Sequence, residues 1–326
     1  VTKARVVSLS ELGSADVIKV IDKELPPPGK GEVQICQTAI GFNFIDIYQR
    51  SGYYPLDLPT GLGHEAVGVV EVLGDGVAGL KVGDRVMYMN AGIGAYASAR
   101  NVAADKLVPV PSNVSDEVAA AVFFKAMTAQ YLIQKTYKVK AGDIVLVHAA
   151  AGGVGQILAG WAKALGAFVV GSVGSQAKVA VAKAAGCDAV VDYSQPNWVE
   201  EFLKATGGKK ANVVYDSVAK TTFMGSLDCV APFGTLALFG AASGPAPEIQ
   251  PEILNKKGCL FLTRPSVFPH NATHALLQEN AKAVFDAIAK GYVKVQIGAK
   301  FPLEQAADAH RAAEGRKVSG AIVMIP

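Results

Sequence analysis

From residue 144 to residue 263 the chain alternates short unbroken apolar runs with helical segments, and few folds accommodate that rhythm. The six runs are IVLVHA, FVVGSV, AVVDY, NVVYDS, GTLALFG and CLFLT. A strand with no polar alternation is covered on both faces, so these runs predict a parallel sheet with helices on either side. Between the first two runs, GVGQILAGWAKALG puts Val154, Ile157, Leu158, Trp161, Ala162 and Leu165 on one helical face. The fold class is therefore α/β, with a doubly wound parallel sheet of the Rossmann type.

The turn after the first strand reads AAAGGVGQ. It departs from the dinucleotide fingerprint only in carrying Ala150 for the first glycine; Gly152 and Gly155 hold the other two places. Gly152 lets backbone approach a pyrophosphate, Gly155 lets the helix pack on the strand, and free N–H groups at the helix start bind the anion. An NAD site has an acid about 20 residues after the glycines, for the ribose 2′-hydroxyl. FVVGSVGSQAKVA has none, and the next acid is Asp188. Gly174, Ser175 and Lys178 stand there instead, a hydroxyl and an ammonium suited to a dianionic 2′-phosphate. The expected cofactor is NADPH.

The N-terminal third has another character. ARVVSL, EVQICQTAIG, AVGVVEVLG, DRVMYM and KLVPV are β-branched runs divided by Gly, Pro and Asp turns, which predicts a compact, partly barrel-like β domain. EVAAAVFFKAMTAQYLIQKTY, beginning near Asp116, reads as a helix. Near the other end, ALLQENAKAVFDAIAKG reads as a helix with Leu277, Ala281, Val284, Phe285 and Ile288 on one face. The closing helix and strand, FPLEQAADAHRAAEG and GAIVMIP, are expected to rejoin the N-terminal domain, leaving a cleft between two bodies. The boundaries are set at 1–124 with 268–326 for one domain and 125–267 for the other.

GHEAVGVV, residues 63–70, is a phrase in which zinc alcohol dehydrogenases carry a ligating histidine, so a metal has to be tested. Catalytic zinc needs three protein ligands and an open position. His64 and Glu65 are present, but Asn43 stands where a thiolate is needed and FFKAMTAQY supplies neither Cys nor His. No metal is expected, and His64 reads as a buried, hydrogen-bonded histidine. Without a Lewis acid, alcohol oxidation is disfavoured; hydride transfer to an already electrophilic acceptor is not.

A net charge of +3 without a basic block argues against nucleic acid. No charge-free stretch of ~20 apolar residues predicts a membrane span. VTKARVVSLSELG lacks the apolar core of a secretory signal. Cys36, Cys187, Cys229 and Cys259 lie far apart with no CxxC, as reduced thiols of a cytoplasmic protein do.

GFNFIDIYQRSGYYP, LPTGLGHEAVGVV, HAAAGGVGQ, ATGGKKANVVYDSV, LFG and TRPS together carry a family signature. Over essentially its whole length the chain resembles the zinc-free quinone oxidoreductases of the medium-chain dehydrogenase/reductase superfamily, the group that includes zeta-crystallin. The resemblance implies a GroES-like β-rich catalytic domain with a Rossmann domain inserted after it, NADPH, a quinone substrate and a homodimer. It places Asn43, Asp46, Tyr48 and Tyr54 around the nicotinamide and acceptor, and Thr128 and Tyr131 along a helix facing the cofactor with Lys125 nearby. Gly153 and Val154 would sit against the pyrophosphate. Gly174, Ser175, Lys178 and Tyr193 would surround the 2′-phosphate. Ser217, Phe239, Gly240 and Ser243 would line the strand ends, and Arg264, Pro265, Ser266 and Arg316 the other side. AASG at 241–244 is less polar than the family phrase, and Lys317 beside Arg316 leaves two cations for one role. The bland readings stand beside these: Asn43 and Asp46, at i and i+3, also suit a helix cap, the tyrosines suit packing, and Arg264 suits a surface ion pair. Two other functions fit the same residues: an enone or alkene reductase, in which a proton donor such as Tyr54 matters more, and a non-catalytic NADPH- or RNA-binding protein.

Overall fold

The structure is a computed structural model describing residues 1–294 and 296–326. It divides into two compact units: Val1–Lys125, Asn271–Ala281 and the described residues after Lys294 form one, and Ala126–His270 with Lys282–Lys294 the other.

In the first unit, strands β1 (Thr2–Ser8) and β2 (Lys19–Leu25) form an antiparallel ribbon. Strand β3 (Glu32–Gly41) pairs with β4 (Glu65–Leu73), β4 with β5 (Arg85–Tyr88), β3 also with β6 (Ala99–Ala103), and β5 with β7 (Val108–Pro109), all antiparallel. Helix α1 (Phe44–Arg50) lies between β3 and β4 in the chain. The core behind this sheet contains Val33, Ile35, Ile40, Leu62, Val70 and Val86, all fully buried. Three strands, β2, β6 and a later one over Ile297–Pro302, escape a reading of the sequence. KVIDKEL is mostly charged because β2 is largely exposed, and ARNVA is five residues with two polar ones in the middle.

Helix α2 (Asp116–Tyr131) runs from the first unit into the second and ends in a single π turn, Leu132–Thr136. Its middle is mostly apolar and buried almost throughout, with Lys125 and Thr128 among the few polar side chains, which fits an internal helix.

The second unit is built on six parallel strands: β8 (Ile144–Val147), β9 (Phe168–Val173), β10 (Ala189–Asp192), β11 (Ala211–Asp216), β12 (Val230–Leu238) and β13 (Phe261–Thr263). Their order is β10-β9-β8-β11-β12-β13, the doubly wound arrangement expected from the alternation. Helices α3 (Gly153–Ala164), α4 (Val179–Ala185), α5 (Trp198–Ala205), α6 (Phe223–Cys229) and α7 (Glu252–Lys256) connect them, and α8 (Val267–His270) follows β13. Leu146, Val170, Val214, Leu236, Phe202, Phe223 and Leu227 are fully buried among strands and helices. Successive strands are added to one side of β8 and then, from β11 on, to the other, and ligands of such sheets bind at the carboxyl ends of the strands at that switch point.

Helix α9 (His274–Ala289) buries Leu277, Ala281 and Val284 and leaves Phe285 and Ile288 half-buried. After it come β14 (Ile297–Pro302), helix α10 (Ala306–Glu314) and β15 (Ala321–Ile325). Strand β15 pairs antiparallel with β3 and parallel with β14, so the C-terminal segment returns to the N-terminal sheet as expected.

Candidate active site

The carboxyl end of the six-stranded sheet carries three turns. The first follows β8. Ala149 takes a left-handed φ of 50°, the Ala150 N–H donates to the Ser172 carbonyl at 2.9 Å, and the Gly152 N–H donates to the Ala149 carbonyl at 3.0 Å. Helix α3 then starts at Gly153 with Gly152 as its cap and no acidic side chain in its first turn. Its free N–H groups are left open to an anion. A Cβ on Gly155 would fall 2.1 Å from the Ala149 carbonyl oxygen, so helix and turn touch only because that residue has no side chain. A Cβ on Gly152 would meet one atom within 4 Å, that same oxygen at 3.3 Å. Gly153 and Val154 are half-buried in the same turn.

The second turn follows β9. Gly174 lies against Tyr193, whose hydroxyl oxygen would be 2.8 Å from a Cβ at that position. The Tyr193 N–H donates to the Val173 carbonyl at 3.0 Å, and the Lys178 N–H to the Ser175 carbonyl at 3.1 Å. Gly174, Ser175, Lys178 and Tyr193 therefore converge from two strand ends. Asp188 belongs to the opposite end of β9: its carboxylate accepts from the Val169 N–H at 2.9 Å and from Lys163 Nζ at 2.5 Å. The acid that does lie close is Asp192, opposite Val173 in the register. Its Oδ1 accepts from the Ser194 N–H at 2.9 Å and hydroxyl at 2.6 Å. Counting residues from the glycines could not find it, because it comes from the third strand.

The third turn joins the ends of β11 and β12. The Ala242 N–H donates to the Ser217 carbonyl at 3.0 Å and the Phe239 N–H to the Asp216 carbonyl at 2.9 Å. A Cβ on Gly240 would fall 2.9 Å from the Ser217 carbonyl oxygen, so the loops meet there without a side chain. The Ser243 hydroxyl donates to the Val218 carbonyl at 2.6 Å and accepts from the Thr221 N–H. Arg264, Pro265 and Ser266 follow β13, with Arg264 and Ser266 exposed. Tyr131 is buried in this unit, its ring stacked on His270 at 4.6 Å and 13°, a partner with no signal in the sequence. Thr128, buried one helical turn earlier, follows Lys125 by the same spacing.

In the first unit the expected residues form a buried polar centre. The Asn43 N–H donates to Asp46 Oδ2 at 3.0 Å, capping α1 as the bland reading of this pair foresaw. The Asn43 side chain is engaged elsewhere: Nδ2 donates to Glu65 Oε1 at 3.0 Å, and Oδ1 accepts from Lys125 Nζ at 3.2 Å. Lys125 Nζ also donates to the Phe42 carbonyl at 2.7 Å. The Phe124 N–H donates to Glu65 Oε2 at 2.5 Å. Burial lowers the Lys125 pKa against the pull of Glu65 and Asp46, and burial raises the Glu65 pKa against Lys125. Asp46 is pushed up to about 7, chiefly by burial. Beside this centre Tyr48 meets Tyr54 edge-on at 5.3 Å, and Tyr53 stacks on Tyr54 at 5.0 Å and 25°. Arg316 is exposed in a left-handed conformation, φ 54°, after α10, with Lys317 exposed next to it.

His64 is buried and lies 2.8 Å from Gln49 through Nε2 and Oε1, so this ring N–H donates to the amide oxygen. Its pKa is lowered to about 4 by burial, with Arg100 adding to the effect. Among the described residues, no three His, Cys, Asp or Glu side chains are grouped to hold a metal ion.

Residues 29–112 match the alcohol dehydrogenase GroES-like domain family and residues 153–290 the zinc-binding dehydrogenase family. A quinone oxidoreductase of Pseudomonas aeruginosa is 43% identical over 324 residues, 99% of this chain and 100% of that protein. A 2-haloacrylate reductase of a Burkholderia species is 43% identical over 306 residues, 92% of each chain. The solved structure of Escherichia coli quinone oxidoreductase complexed with NADPH superposes with a TM-score of 0.96 at 43% identity, covering 99% of this chain and 100% of that one. With near-complete coverage and both domain families in place, the chain belongs to the zeta-crystallin-like quinone oxidoreductases of the medium-chain dehydrogenase/reductase superfamily.

Proposed function

We propose that the protein is an NADPH-dependent quinone reductase. The second turn carries this reading: the strand end that selects the cofactor offers Ser175, Lys178 and Tyr193, while Asp188 is bound to Lys163 at the other end of the strand. These donors suit a 2′-phosphate, and the acid-free start of α3 beside Gly152 suits a pyrophosphate. When bound, the dihydronicotinamide supplies the hydride. The chain's own work is binding, orientation and water exclusion. Gly152, Gly153 and Val154 bind the diphosphate; Ser217, Phe239 and Gly240 shape the floor; Arg264, Ser266 and Arg316 or Lys317 add donors. Tyr48 and Tyr54, rings inclined at 65°, offer aromatic surface to a flat acceptor. Lys125 holds protons on Nζ, aimed by Asn43 Oδ1 and Phe42 O.

This chemistry runs without zinc. Glu65 already has an ammonium as counter-ion, Asn43 replaces a thiolate, and a His64 ring nitrogen faces Gln49. The working form is a homodimer, supported by Phe261 and Phe233, 63% and 73% exposed, on the edge strand β13 and its neighbour β12. Free thiols at all four cysteines favour the cytoplasm.

The test is titration of wild type and Lys178→Ala with NADPH and NADH. NADPH binds more tightly to wild type, the substitution removes most of that preference, and NADH affinity barely moves. Equal wild-type affinities overturn the cofactor assignment. The 2-haloacrylate reductase relative favours a second reading, reduction of an electron-poor alkene. Turnover of enones with none of benzoquinones would select it.

A further inference from the structure

Beneath the three turns, in the core of the six-stranded sheet, lies a closed polar set: His148, Ser172, Asp216, Thr222 and Ser226, each at most 1% exposed. Its wiring has one solution. The Ser226 hydroxyl donates to Asp216 Oδ2 at 2.7 Å, so its oxygen accepts from His148 Nε2–H at 2.8 Å. His148 is then the neutral Nε2–H tautomer, and Nδ1 accepts from the Ser172 hydroxyl at 2.6 Å. Burial lowers the ring's pKa against the pull of Asp216, which agrees with a neutral imidazole. At the far end, Asp216 Oδ1 accepts from the Val218 and Ala219 N–H groups, each at 2.9 Å, and Oδ2 lies 2.8 Å from Thr222 Oγ1.

A His–Ser–Asp set invites comparison with a nucleophilic triad, but no substrate reaches atoms this deep. Its cost is that of polar groups inside an apolar sheet, and a set of Leu and Val would be no less stable. What it does control is geometry. His148 opens the phosphate turn, and its N–H donates to the Tyr215 carbonyl on β11 at 3.0 Å. Ser172 lies two residues before Gly174, and its carbonyl also holds the Ala150 N–H. Asp216 closes the turn that carries Ser217, where Ala219 is held at φ 70°. The His148 ring further meets Tyr193 edge-on at 6.4 Å and Trp198 at 5.2 Å. One residue therefore opens the first turn, is bonded to β9 through Ser172 just before the second, and is linked through Ser226 to Asp216 at the third.

We propose that His148 is a positioning residue that locks the three nucleotide-binding turns in one mutual register. The proposal rests on the NADPH reading above. Hydrogen bonds have preferred lengths and directions, so a saturated chain of them fixes strand ends more sharply than apolar packing does.

The test replaces His148 by Leu, which makes neither bond, and by Gln, which can accept and donate. Folding is monitored by circular dichroism and melting, NADPH affinity by fluorescence titration, and turnover by steady-state kinetics. In folded His148→Leu, the NADPH Kd and KM rise by about tenfold or more, while kcat at saturating NADPH and the quinone KM change far less. His148→Gln recovers part of the loss. Should the leucine variant not fold, Ser226→Ala cuts the chain with one atom and raises the NADPH Kd by about threefold or more. A folded variant that melts lower yet binds NADPH like wild type has lost only stability, and overturns the proposal. Wild type that does not bind NADPH overturns the functional reading instead.

Discussion

Tyr96 donates its hydroxyl to Asp46 Oδ2 across 2.7 Å, and the far end of the chain behind it fixes the direction of every bond. Arg50 can only donate, so His310 Nδ1 accepts from it at 2.9 Å, and His310 Nε2–H donates to the Tyr96 oxygen at 3.0 Å. Burial and Arg50 hold the His310 pKa down to about 3. Asp46 Oδ1 is buried without a hydrogen-bond partner among the described residues.

A carboxyl so placed makes stability depend on pH with a definite sign. The folded-state pKa of Asp46 is raised from 3.8 to about 7, so between these values the folded chain keeps a proton that the unfolded chain has released. Stability therefore falls as pH rises through that window, by about 1.4 kcal/mol per unit. From pH 5 to pH 8 wild type loses roughly 2–3 kcal/mol through this group. Asp46→Asn keeps the acceptor for Tyr96 and removes the titration, so its urea midpoint declines less over the same range. Parallel declines for the two proteins would show that Asp46 does not titrate there.

Lys125 and Glu65, joined through the Asn43 amide, test whether two buried charges support one another. Lys125→Met leaves Glu65 in the core with no cation and costs about 3–5 kcal/mol in a denaturation experiment. Adding Glu65→Gln removes the stranded charge and returns a good part of that loss, since the amide can still bond the Phe124 N–H. Additive costs in the double variant would mean that the two side chains do not act as a pair. On the zinc-free reading proposed above, dialysis against a zinc chelator leaves wild-type turnover unchanged, and a loss that added zinc restores overturns it.

These two sites show what can be read from the sequence and what cannot. The six strands and the glycine turn were legible because local chemistry decides them: apolar runs, a missing acid, glycines at a strand end. The capping relation of Asn43 and Asp46 was legible for the same reason, being three residues long. Nothing in the chain near Asp46 announces Tyr96 or His310, which lie 50 and 264 residues further on. Asp192 was hidden behind an interval that counts along one strand while the register brings in another. Strand β2 was missed because exposed positions carry no alternation to detect, and β6 because a five-residue run with Arg100 and Asn101 inside it has no apolar pattern.

The proposed dimer makes a prediction at the sheet edge. Phe261 on β13 and Phe233 on β12 hold little of the fold together at their exposures. Phe261→Glu combined with Phe233→Ser therefore leaves the melting of each subunit nearly intact while sedimentation shifts toward the monomer. An unchanged sedimentation profile would place the contact elsewhere.

Gly152 and Gly155 separate binding from packing within one turn. At Gly155 a methyl would overlap the Ala149 carbonyl, with its Cβ 2.1 Å from the oxygen. Helix α3 or the turn has to move, so Gly155→Ala lowers stability by about 1–3 kcal/mol and weakens NADPH binding with it. At Gly152, φ is −80°, which any residue adopts, and the methyl meets only one atom at 3.3 Å. Gly152→Ala should thus melt close to wild type. Its methyl nevertheless stands where backbone is to approach the diphosphate, so NADPH affinity falls by about tenfold or more, the effect of losing roughly 1.4 kcal/mol. Calorimetry and fluorescence titration on the two variants read these quantities apart. A Gly152→Ala protein that binds NADPH normally would mean that the diphosphate does not lie against this turn.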